Sequence, residues 1–335
     1  MMKSRIYLVS LTVAVVVGLL FTYAKADANS LYRWKSCHPG AIGSTIDLTQ
    51  AKFAELVRQK TNGHIIVDCY AAEQLGSYRD MFDNVVRGVQ EVGLLPISPE
   101  FSSSLQIVYT VYIADTWEEG KKIYAPGGWM FGYLEPLFEK LGLQPLGFFF
   151  IGMNGFGSTK GPVVLPEDIK KLGIKTRVWC PADRLFFQEM GLPTVDIAFA
   201  ELFTSLQTGV CHAQDNSPEV TYTQLRDVQK YYTDLNHIFE PLALLINKKL
   251  LDGLSANVKK AIEESAAEAL AWGNRASEES EEGFFKKMED YGIKVTRLTP
   301  EQRPIWKEYG IRSWSKFEKV VGKRSMDMIR ANIKK

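Results

Sequence analysis

The chain has 335 residues, of which 46% are hydrophobic and 24% are charged, a composition that can form a large core and excludes a mostly disordered chain. Lys and Arg number 40 against 39 Asp and Glu, so no basic excess indicates nucleic-acid binding and no acidic tail is present. The length allows one large domain or two lobes of ordinary size.

The N-terminus has the pattern of a secretory signal peptide. A positively charged segment precedes an uncharged apolar run over 6–21, and Ala24 and Ala26 stand at the two positions that a signal peptidase reads. We therefore expect a signal peptide over residues 1–26 and an exported, soluble mature chain that begins at Asp27. The alternative is an uncleaved membrane anchor, for which the apolar run is marginally short.

Export makes disulfides possible for the four cysteines, which are Cys37, Cys69, Cys180 and Cys211. Their spacing matches no zinc-binding pattern, and histidine is scarce. The sequence therefore gives no reason to expect a metal or another cofactor. Two bridges and buried free thiols are both compatible with it.

The first half of the mature chain alternates strands and helices. Strands are predicted over 31–37, 64–70 and 89–95, and helices are predicted between them over 45–61 and 78–87. This β-α-β-α-β order is typical of a parallel sheet with helices on both faces.

The same alternation starts again after residue 152. The predicted elements are a short helix from Pro166, a strand over 174–178, a helix over 181–190, a helix over 200–207 and a strand over 210–215. Two α/β units in series predict an α/β fold with two lobes. Open α/β sheets bind ligands at the carboxyl ends of their strands, so we expect the ligand cleft between the lobes.

The segment over 255–291 contains no Pro and is rich in Ala and Glu, which favours a helix. One continuous helix would span roughly 50 Å and could run along both lobes, whereas a break at Gly273 would give two helices. The expected lobes are 27–151 with a later return over about 238–272, and 152–237 with the C-terminal part over about 273–335.

No catalytic motif occurs in the sequence. Gly-x-Ser-x-Gly, His-Glu-x-x-His and the Walker-type phosphate loop are all absent. None of the four histidines lies four residues from another. We therefore expect a binding protein and not an enzyme.

Two polar residues stand where predicted strands of the second half end, which is where a ligand would bind. Arg177 has a planar guanidinium that can hold both oxygens of a carboxylate or sulfonate. Asn216 has an amide that both donates and accepts hydrogen bonds. The alternatives are a surface ion pair for Arg177 and a turn before Pro218 for Asn216.

Several segments resemble, in the same order, the extracytoplasmic solute-binding subunit of tripartite ATP-independent periplasmic (TRAP) transporters. They are FAELV at 53–57, KTNG at 60–63, EQLG at 73–76, PEDIKKLGIKTR at 166–177, ELFTSLQTG at 201–209, QDN at 214–216 and VQKY at 228–231. The resemblance covers nearly all of the mature chain. Each motif is weak alone, but their order behind a signal peptide is specific.

The resemblance implies a periplasmic binding protein with two lobes and a long helix along both. It implies that Arg177 is the main anion clamp and that Asn216 is a neighbouring contact. We also expect His38, Glu73 and Asn154 to contact the ligand. The implied partners are a small organic anion and the TRAP membrane permease, which an ion gradient drives, and we expect a monomer that binds no nucleic acid.

The sequence departs from the family at one position. Relatives often have a second arginine within a Gly-aromatic-Arg pattern, but this chain has Asn154 there, within GMNGFGST over 152–159. A second ligand carboxylate would lack its partner, and burying it unpaired is costly. We therefore predict a ligand with one strongly acidic group, either a carboxylate or a sulfonate, and an uncharged remainder.

Two aromatic residues bear on the shape of that remainder. If Trp179 and Phe156 line the pocket, the remainder could be apolar or aromatic. If those rings belong to the core, a small hydroxylated or keto-bearing chain fits equally well.

Two other functions are compatible with the same sequence. The protein could present its ligand to a signalling receptor instead of a permease, or it could be a secreted enzyme on a similar scaffold. A partner assay would distinguish a signalling receptor from a permease. Recovery of unchanged ligand after incubation would argue against an enzyme.

Overall fold

The computed structural model describes residues 32–98 and 100–333. The predicted signal peptide over 1–26 and its cleavage site lie outside the described residues. In the ranges described, no helix combines the length and the apolar character that a membrane span requires.

The first sheet has five strands in the order β2-β1-β3-β10-β4. Their bounds are β1 Tyr32–Cys37, β2 Ile65–Tyr70, β3 Val92–Leu95, β4 Leu143–Met153 and β10 Phe239–Asn247. β1 pairs in parallel with β2 and β3, as the β-α-β-α-β order predicts. β10, which the sequence does not predict, runs antiparallel to β3 and β4, so the sheet is mixed and not parallel throughout.

The second sheet has six strands in the order β11-β9-β5-β8-β6-β7. Their bounds are β5 Gly155–Ser158, β6 Thr176–Val178, β7 Thr194–Asp196, β8 Ala213–Asn216, β9 Tyr231–Thr233 and β11 Lys294–Thr296. β6 is parallel to β7 and β8, whereas β5 is antiparallel to β8 and β9. This sheet is therefore mixed as well.

Helices cover both sheets. Their bounds are α1 Thr45–Lys60, α2 Tyr78–Val86, α3 Trp117–Tyr124, α4 Trp129–Glu139, α5 Pro166–Lys171, α6 Pro181–Glu189, α7 Phe199–Thr208, α8 Pro218–Val220, α9 Lys248–Asp252, α10 Ala256–Tyr291, α11 Arg303–Val321 and α12 Lys323–Asn332. The chain is thus an α/β protein, as predicted.

Local sequence explains several helix ends. The Ser44 side chain accepts from the Asp47 backbone N–H and begins α1, while Ser77 and Asp80 form a capping box that begins α2. Gly209 ends α7 in the left-handed conformation, which costs glycine little because it has no Cβ atom.

The long helix α10 is continuous over 36 residues, so the alternative of a break at Gly273 is wrong. A Cβ atom at position 273 would lie 2.1 Å from Oγ1 of Thr49 in α1, so the glycine allows these two helices to pack closely. Near its C-terminal end, Phe285 and Met288 of α10 pack against Tyr232 in β9. At 1.5 Å per residue the helix spans about 54 Å and contacts both sheets.

The chain passes from the first sheet to the second at Asn154, between β4 and β5, and it returns through Ile238 into β10. The two crossing segments are joined by backbone hydrogen bonds, because the Asn154 N–H donates to the Ile238 carbonyl at 2.8 Å and the His237 N–H donates to the Asn154 carbonyl at 3.3 Å. The two sheets are therefore linked by adjacent strands that bond to each other.

All four cysteines are free thiols, and Cys37, Cys180 and Cys211 are buried. Burial raises the pKa of the Cys37 thiol to about 12, which keeps it protonated at neutral pH. Of the two alternatives that the sequence leaves open, the structure has the free thiols.

Candidate ligand-binding site

A cleft with an empty volume of about 490 Å³, its mouth included, lies between the two sheets. Its walls come from both sheets and from the crossing strands β4 and β10. The lining residues are Pro39, Gly40, Ile46, Tyr78, Pro96, Ile151, Arg177, Trp179, Phe199, Asn216, Val220, Gln224 and Glu240. Such a mostly apolar cleft with a few polar groups is typical of small-molecule sites.

Arg177 lies in the middle of β6 and lines this cleft, although its residue surface is only 2% exposed. Its Nε atom donates to the Ile197 backbone carbonyl at 3.0 Å, which fixes the plane of the guanidinium. Among the described residues, no carboxylate lies within 4.0 Å of its nitrogen atoms and no hydrogen bond engages its two Nη atoms. A buried cation is thus held in place without a partner for its charge.

Trp179 is the aromatic wall of the cleft. Its Nε1 atom donates to Asp215 Oδ2 at 3.0 Å, and its ring meets the ring of Tyr109 edge to face, with centroids 4.6 Å apart. The two contacts hold the indole in one orientation. Trp179 directly follows β6, two residues after Arg177, and both side chains line the cleft.

Asn216, at the end of β8, and Tyr78, at the start of α2, both line the cleft. The Asn216 amide donates to Gln214 Oε1, and its backbone carbonyl accepts from the Tyr232 hydroxyl. The Tyr78 hydroxyl accepts from Arg79 Nε at 3.1 Å, so its own proton is available for an anion bound at Arg177.

Glu240 is the carboxylate among the lining residues, and it stands in β10 where the chain crosses between the sheets. Its Oε2 atom accepts from Asn154 Nδ2 at 2.9 Å. Burial raises the pKa of Glu240 to about 7, and the nearby Asp215 adds to this shift. The hydrogen bond from Asn154 and the charges of Arg177 and His237 oppose it. Asn154 is fully buried and holds Glu240 instead of lining the cleft itself.

Behind the Trp179 indole lies a fully buried group of three titratable side chains, Asp183, Asp215 and His237. The His237 Nε2 atom is 3.4 Å from Asp215 Oδ2 and 3.8 Å from Asp183 Oδ1. Although burial lowers the pKa of His237, the two carboxyl groups raise it on balance, and burial together with Asp215 raises the pKa of Asp183. These three side chains could hold a metal ion, but a protonated imidazole between two carboxyl groups satisfies them as well.

Asn154 and three other residues that the sequence analysis assigns to the ligand lie outside the lining. Phe156 is buried in the core against Phe187, with ring centroids 5.6 Å apart. His38 is buried and its Nε2 atom lies 3.2 Å from Asp47 Oδ1. Glu73 lines a neighbouring depression and accepts from the Tyr78 backbone N–H, so it helps to begin α2.

Contacts across the cleft join the two sheets. In α8, the carboxylate of Glu219 accepts from the backbone N–H of Thr45 at 2.8 Å and also accepts from the Thr45 hydroxyl. Thr45 is the first residue of α1, so the carboxylate caps the positive end of that helix. Arg79 in α2 also lies 3.9 Å from Asp196 in β7.

The chain matches a family model described as bacterial extracellular solute-binding protein, family 7, over residues 39–320. The C4-dicarboxylate-binding periplasmic protein DctP of Rhodobacter capsulatus is 30% identical over 270 residues, which cover 77% of this chain and 78% of that protein. The 2,3-diketo-L-gulonate-binding periplasmic protein YiaO of Escherichia coli K12 is 26% identical over 249 residues, or 73% of this chain and 74% of that protein.

Solved structures agree with this match. A TRAP periplasmic solute-binding protein of Shewanella oneidensis with bound succinate superposes with a TM-score of 0.82 at 25% identity, covering 90% of this chain and 99% of that one. A protein of the same class from Sulfitobacter, at 22% identity and a TM-score of 0.81 over 89% of this chain and 98% of that one, shares the fold. The two-lobed fold and the resemblance seen in the sequence are thereby confirmed. The chain belongs to family 7 of the bacterial extracellular solute-binding proteins, the periplasmic binding subunits of TRAP transporters.

Proposed function

We propose that this periplasmic protein captures a small organic acid with one anionic group, a carboxylate or a sulfonate, and delivers it to a TRAP permease. The observation that carries the proposal is Arg177, a buried cation that lines the cleft and has no anionic partner among the described residues. Leaving a buried charge unpaired is costly, so a ligand anion would supply the negative charge that pairs with Arg177.

The geometry around Arg177 suits a planar anion. With Nε engaged by the Ile197 carbonyl, the two Nη atoms remain to donate in parallel to two oxygen atoms of one acidic group. The Tyr78 hydroxyl and the Asn216 amide line the same cleft and can add hydrogen bonds to that group. Water excluded on closure would lower the local dielectric constant and strengthen the ion pair.

The relatives support an acidic ligand, but they do not agree on one compound. The Rhodobacter relative is named for C4-dicarboxylates, the Escherichia relative for 2,3-diketo-L-gulonate, and the Shewanella structure contains succinate. A second ligand carboxylate in this cleft would be near the carboxylate of Glu240, which accepts a hydrogen bond from the Asn154 amide. We therefore propose that this chain favours monoanionic acids over dicarboxylates.

The apolar walls allow a bulky remainder. Trp179, Phe199, Ile151 and Val220 line the cleft, and an aromatic wall suits a flat apolar body. Phe156 packs in the core and contributes nothing to these walls. The remainder could thus be aromatic or aliphatic.

We also propose that the two sheets act as two lobes that close on the ligand. The lobes would be 27–151 with a return over about 238–272, and 152–237 with about 273–335. The adjacent crossing strands at Asn154 and Ile238 would serve as the hinge, and the contact of Glu219 with Thr45 would form in the closed state. The closed form would be what the permease recognises.

A thermal-shift screen of organic acids on the mature protein tests the proposal, because a ligand that binds only the folded state raises the melting temperature. The panel should pair monoanionic carboxylates and sulfonates, some of them aromatic, with succinate and malate. We expect the monoanions to give the larger shifts. Tight binding of succinate or malate, with the monoanions silent, would contradict the proposed ligand class.

A further inference from the structure

Two side chains of opposite charge line the cleft without forming a salt bridge to each other. Arg177 comes from β6 and Glu240 from β10, and among the described residues neither has an oppositely charged partner within 4.0 Å. Both residues are more than nine-tenths buried. The cleft therefore contains a cation and a carboxylate that no salt bridge joins.

One oxygen atom of the Glu240 carboxylate accepts a hydrogen bond within the protein, and the other accepts none from the described residues. Its Oε2 atom accepts from Asn154 Nδ2 at 2.9 Å, whereas no hydrogen bond among the described residues engages Oε1. The Asn154 amide stands on the strand that crosses between the sheets, and its backbone is fixed by hydrogen bonds to Ile238 and His237. The fold thus supports Glu240 from behind and leaves it available to the cleft.

The uncharged side chain at position 154 is consistent with a Glu240 carboxylate that is available to the cleft. An arginine there would add a positive charge beside the Glu240 carboxylate. Asparagine supports the carboxylate through one hydrogen bond and adds no charge of its own.

We propose that the ligand is a zwitterion, with its carboxylate or sulfonate bound to Arg177 and an ammonium group donating to Glu240. This inference rests on the proposed function and revises the uncharged remainder that the sequence suggests. An ammonium is preferred to a hydroxyl because it supplies both the hydrogen bond and the compensating charge, and a buried carboxylate needs both. A ligand hydroxyl would supply only the hydrogen bond.

Matched triplets of acids test this on wild-type protein by calorimetry. Each triplet has one carbon skeleton and carries an ammonium, a hydroxyl or a hydrogen: alanine, lactate and propionate; β-alanine, 3-hydroxypropionate and propionate; phenylalanine, phenyllactate and phenylpropionate. We expect the ammonium member of at least one triplet to bind at least tenfold more tightly than its two partners. Tighter binding of the hydroxyl or unsubstituted members throughout, or no binding by any ammonium member, would overturn the inference.

The variant Glu240→Gln separates charge from hydrogen bonding, because glutamine keeps the shape and an acceptor oxygen but removes the negative charge. We expect it to weaken binding of the zwitterion roughly thirtyfold or more, while the binding of a hydroxy acid changes only a few-fold. The control is Glu189→Gln, whose carboxylate pairs with Lys316 outside the cleft lining. Equal zwitterion affinity in wild type and Glu240→Gln would overturn the inference.

The same titrations distinguish this inference from the proposed function. If a hydroxy acid binds best and Arg177→Ala abolishes its binding, the inference fails while the anion site stands. If a zwitterion binds and Arg177→Ala leaves its affinity unchanged, the anion site itself is wrong.

Discussion

At the scale of single residues, several side chains that line the cleft are each positioned by a hydrogen bond from a neighbouring residue. The Ile197 carbonyl holds Arg177, Asp215 holds Trp179, and Asn154 holds Glu240. Each contact uses one atom of the lining residue and leaves the remainder facing the cleft. The lining is therefore preorganised, and a ligand does not need to fix these side chains itself on binding.

Glu240 makes the stability of the ligand-free protein depend on pH. Its pKa rises from 4.5 to about 7 in the folded state, mainly because of burial, so the folded protein holds this proton more tightly than the unfolded chain does. The contribution to stability is full below about pH 4.5 and is lost as the pH rises through about 7. We expect it to be on the order of 2–3 kcal/mol.

Chemical denaturation at several pH values checks this expectation in wild type and in Glu240→Gln. The variant cannot ionise at this position, so its free energy of unfolding should fall less between pH 4.5 and pH 7 than that of wild type. Parallel pH profiles for the two proteins would show that Glu240 ionises normally in the fold.

Sequence predicts only part of this residue-scale arrangement. Arg177, Trp179 and Asn216 line the cleft because they lie in, just after or at the end of strands that local patterns identify. Glu240 was missed because it stands near the start of the apolar segment FEPLALLIN and looks like an ordinary charge before a buried strand. The role of Asn154 becomes visible only when β4 and β10 are placed side by side, which no local pattern indicates.

At the scale of elements, close packing of α10 on α1 depends on Gly273. A methyl group at this position would lie 2.1 Å from Thr49 Oγ1, so one of the two helices must shift. We expect Gly273→Ala to destabilise the protein by about 1–3 kcal/mol despite the better helix propensity of alanine. Urea denaturation measures the change.

Gly283 supplies a matched control within the same helix. A Cβ atom there meets no atom within 4 Å, so Gly283→Ala should stabilise the protein by about 0.5–1 kcal/mol through helix propensity alone. Equal stabilisation by both substitutions would show that the two helices do not pack as closely as described.

The contact between α8 and the start of α1 would link binding to the closure that we propose. The Glu219 carboxylate accepts from the Thr45 N–H and hydroxyl across the cleft, and it adds charge that favours the positive end of the helix. We expect Glu219→Ala to weaken ligand affinity by about 1–3 kcal/mol, because the closed form loses these hydrogen bonds while an open form loses nothing. Calorimetry with the best ligand of the acid screen measures the effect.

A suitable control is Glu201→Ala, an exposed carboxylate in the first turn of α7. Its affinity should match that of wild type. If Glu219→Ala also binds with unchanged affinity, the contact with Thr45 does not contribute to the closed state.

The sequence predicts helices and strands that have a local pattern of polar and apolar residues. It does not predict strands that are almost completely buried. β1, β2, α1, α2 and α10 follow from periodicity and capping residues. β4 and β10 escape prediction because most residues of both strands are buried on both faces, which removes the alternation of polar and apolar residues. These two strands also make the first sheet mixed.

At the scale of the whole molecule, the chain forms two mixed sheets that share two crossing strands and one long helix. The arrangement places the carboxyl ends of β6 and β8 opposite the loop after β1 and the start of α2, with the cleft between them. Charges from different sheets thus meet at a site that closure would seal. The family resemblance in the sequence identified this architecture, although it gave no indication of Glu240.

The most direct test of the central claim is the affinity of Arg177 variants for the best acid of the screen, measured by calorimetry on folded protein. We expect Arg177→Ala to abolish detectable binding and Arg177→Lys to weaken binding by about 2–5 kcal/mol, because lysine lacks the bidentate fork. That range corresponds to roughly a thirtyfold loss of affinity or more. Affinity within a few-fold of wild type for either variant would contradict the assignment of Arg177 as the anion clamp.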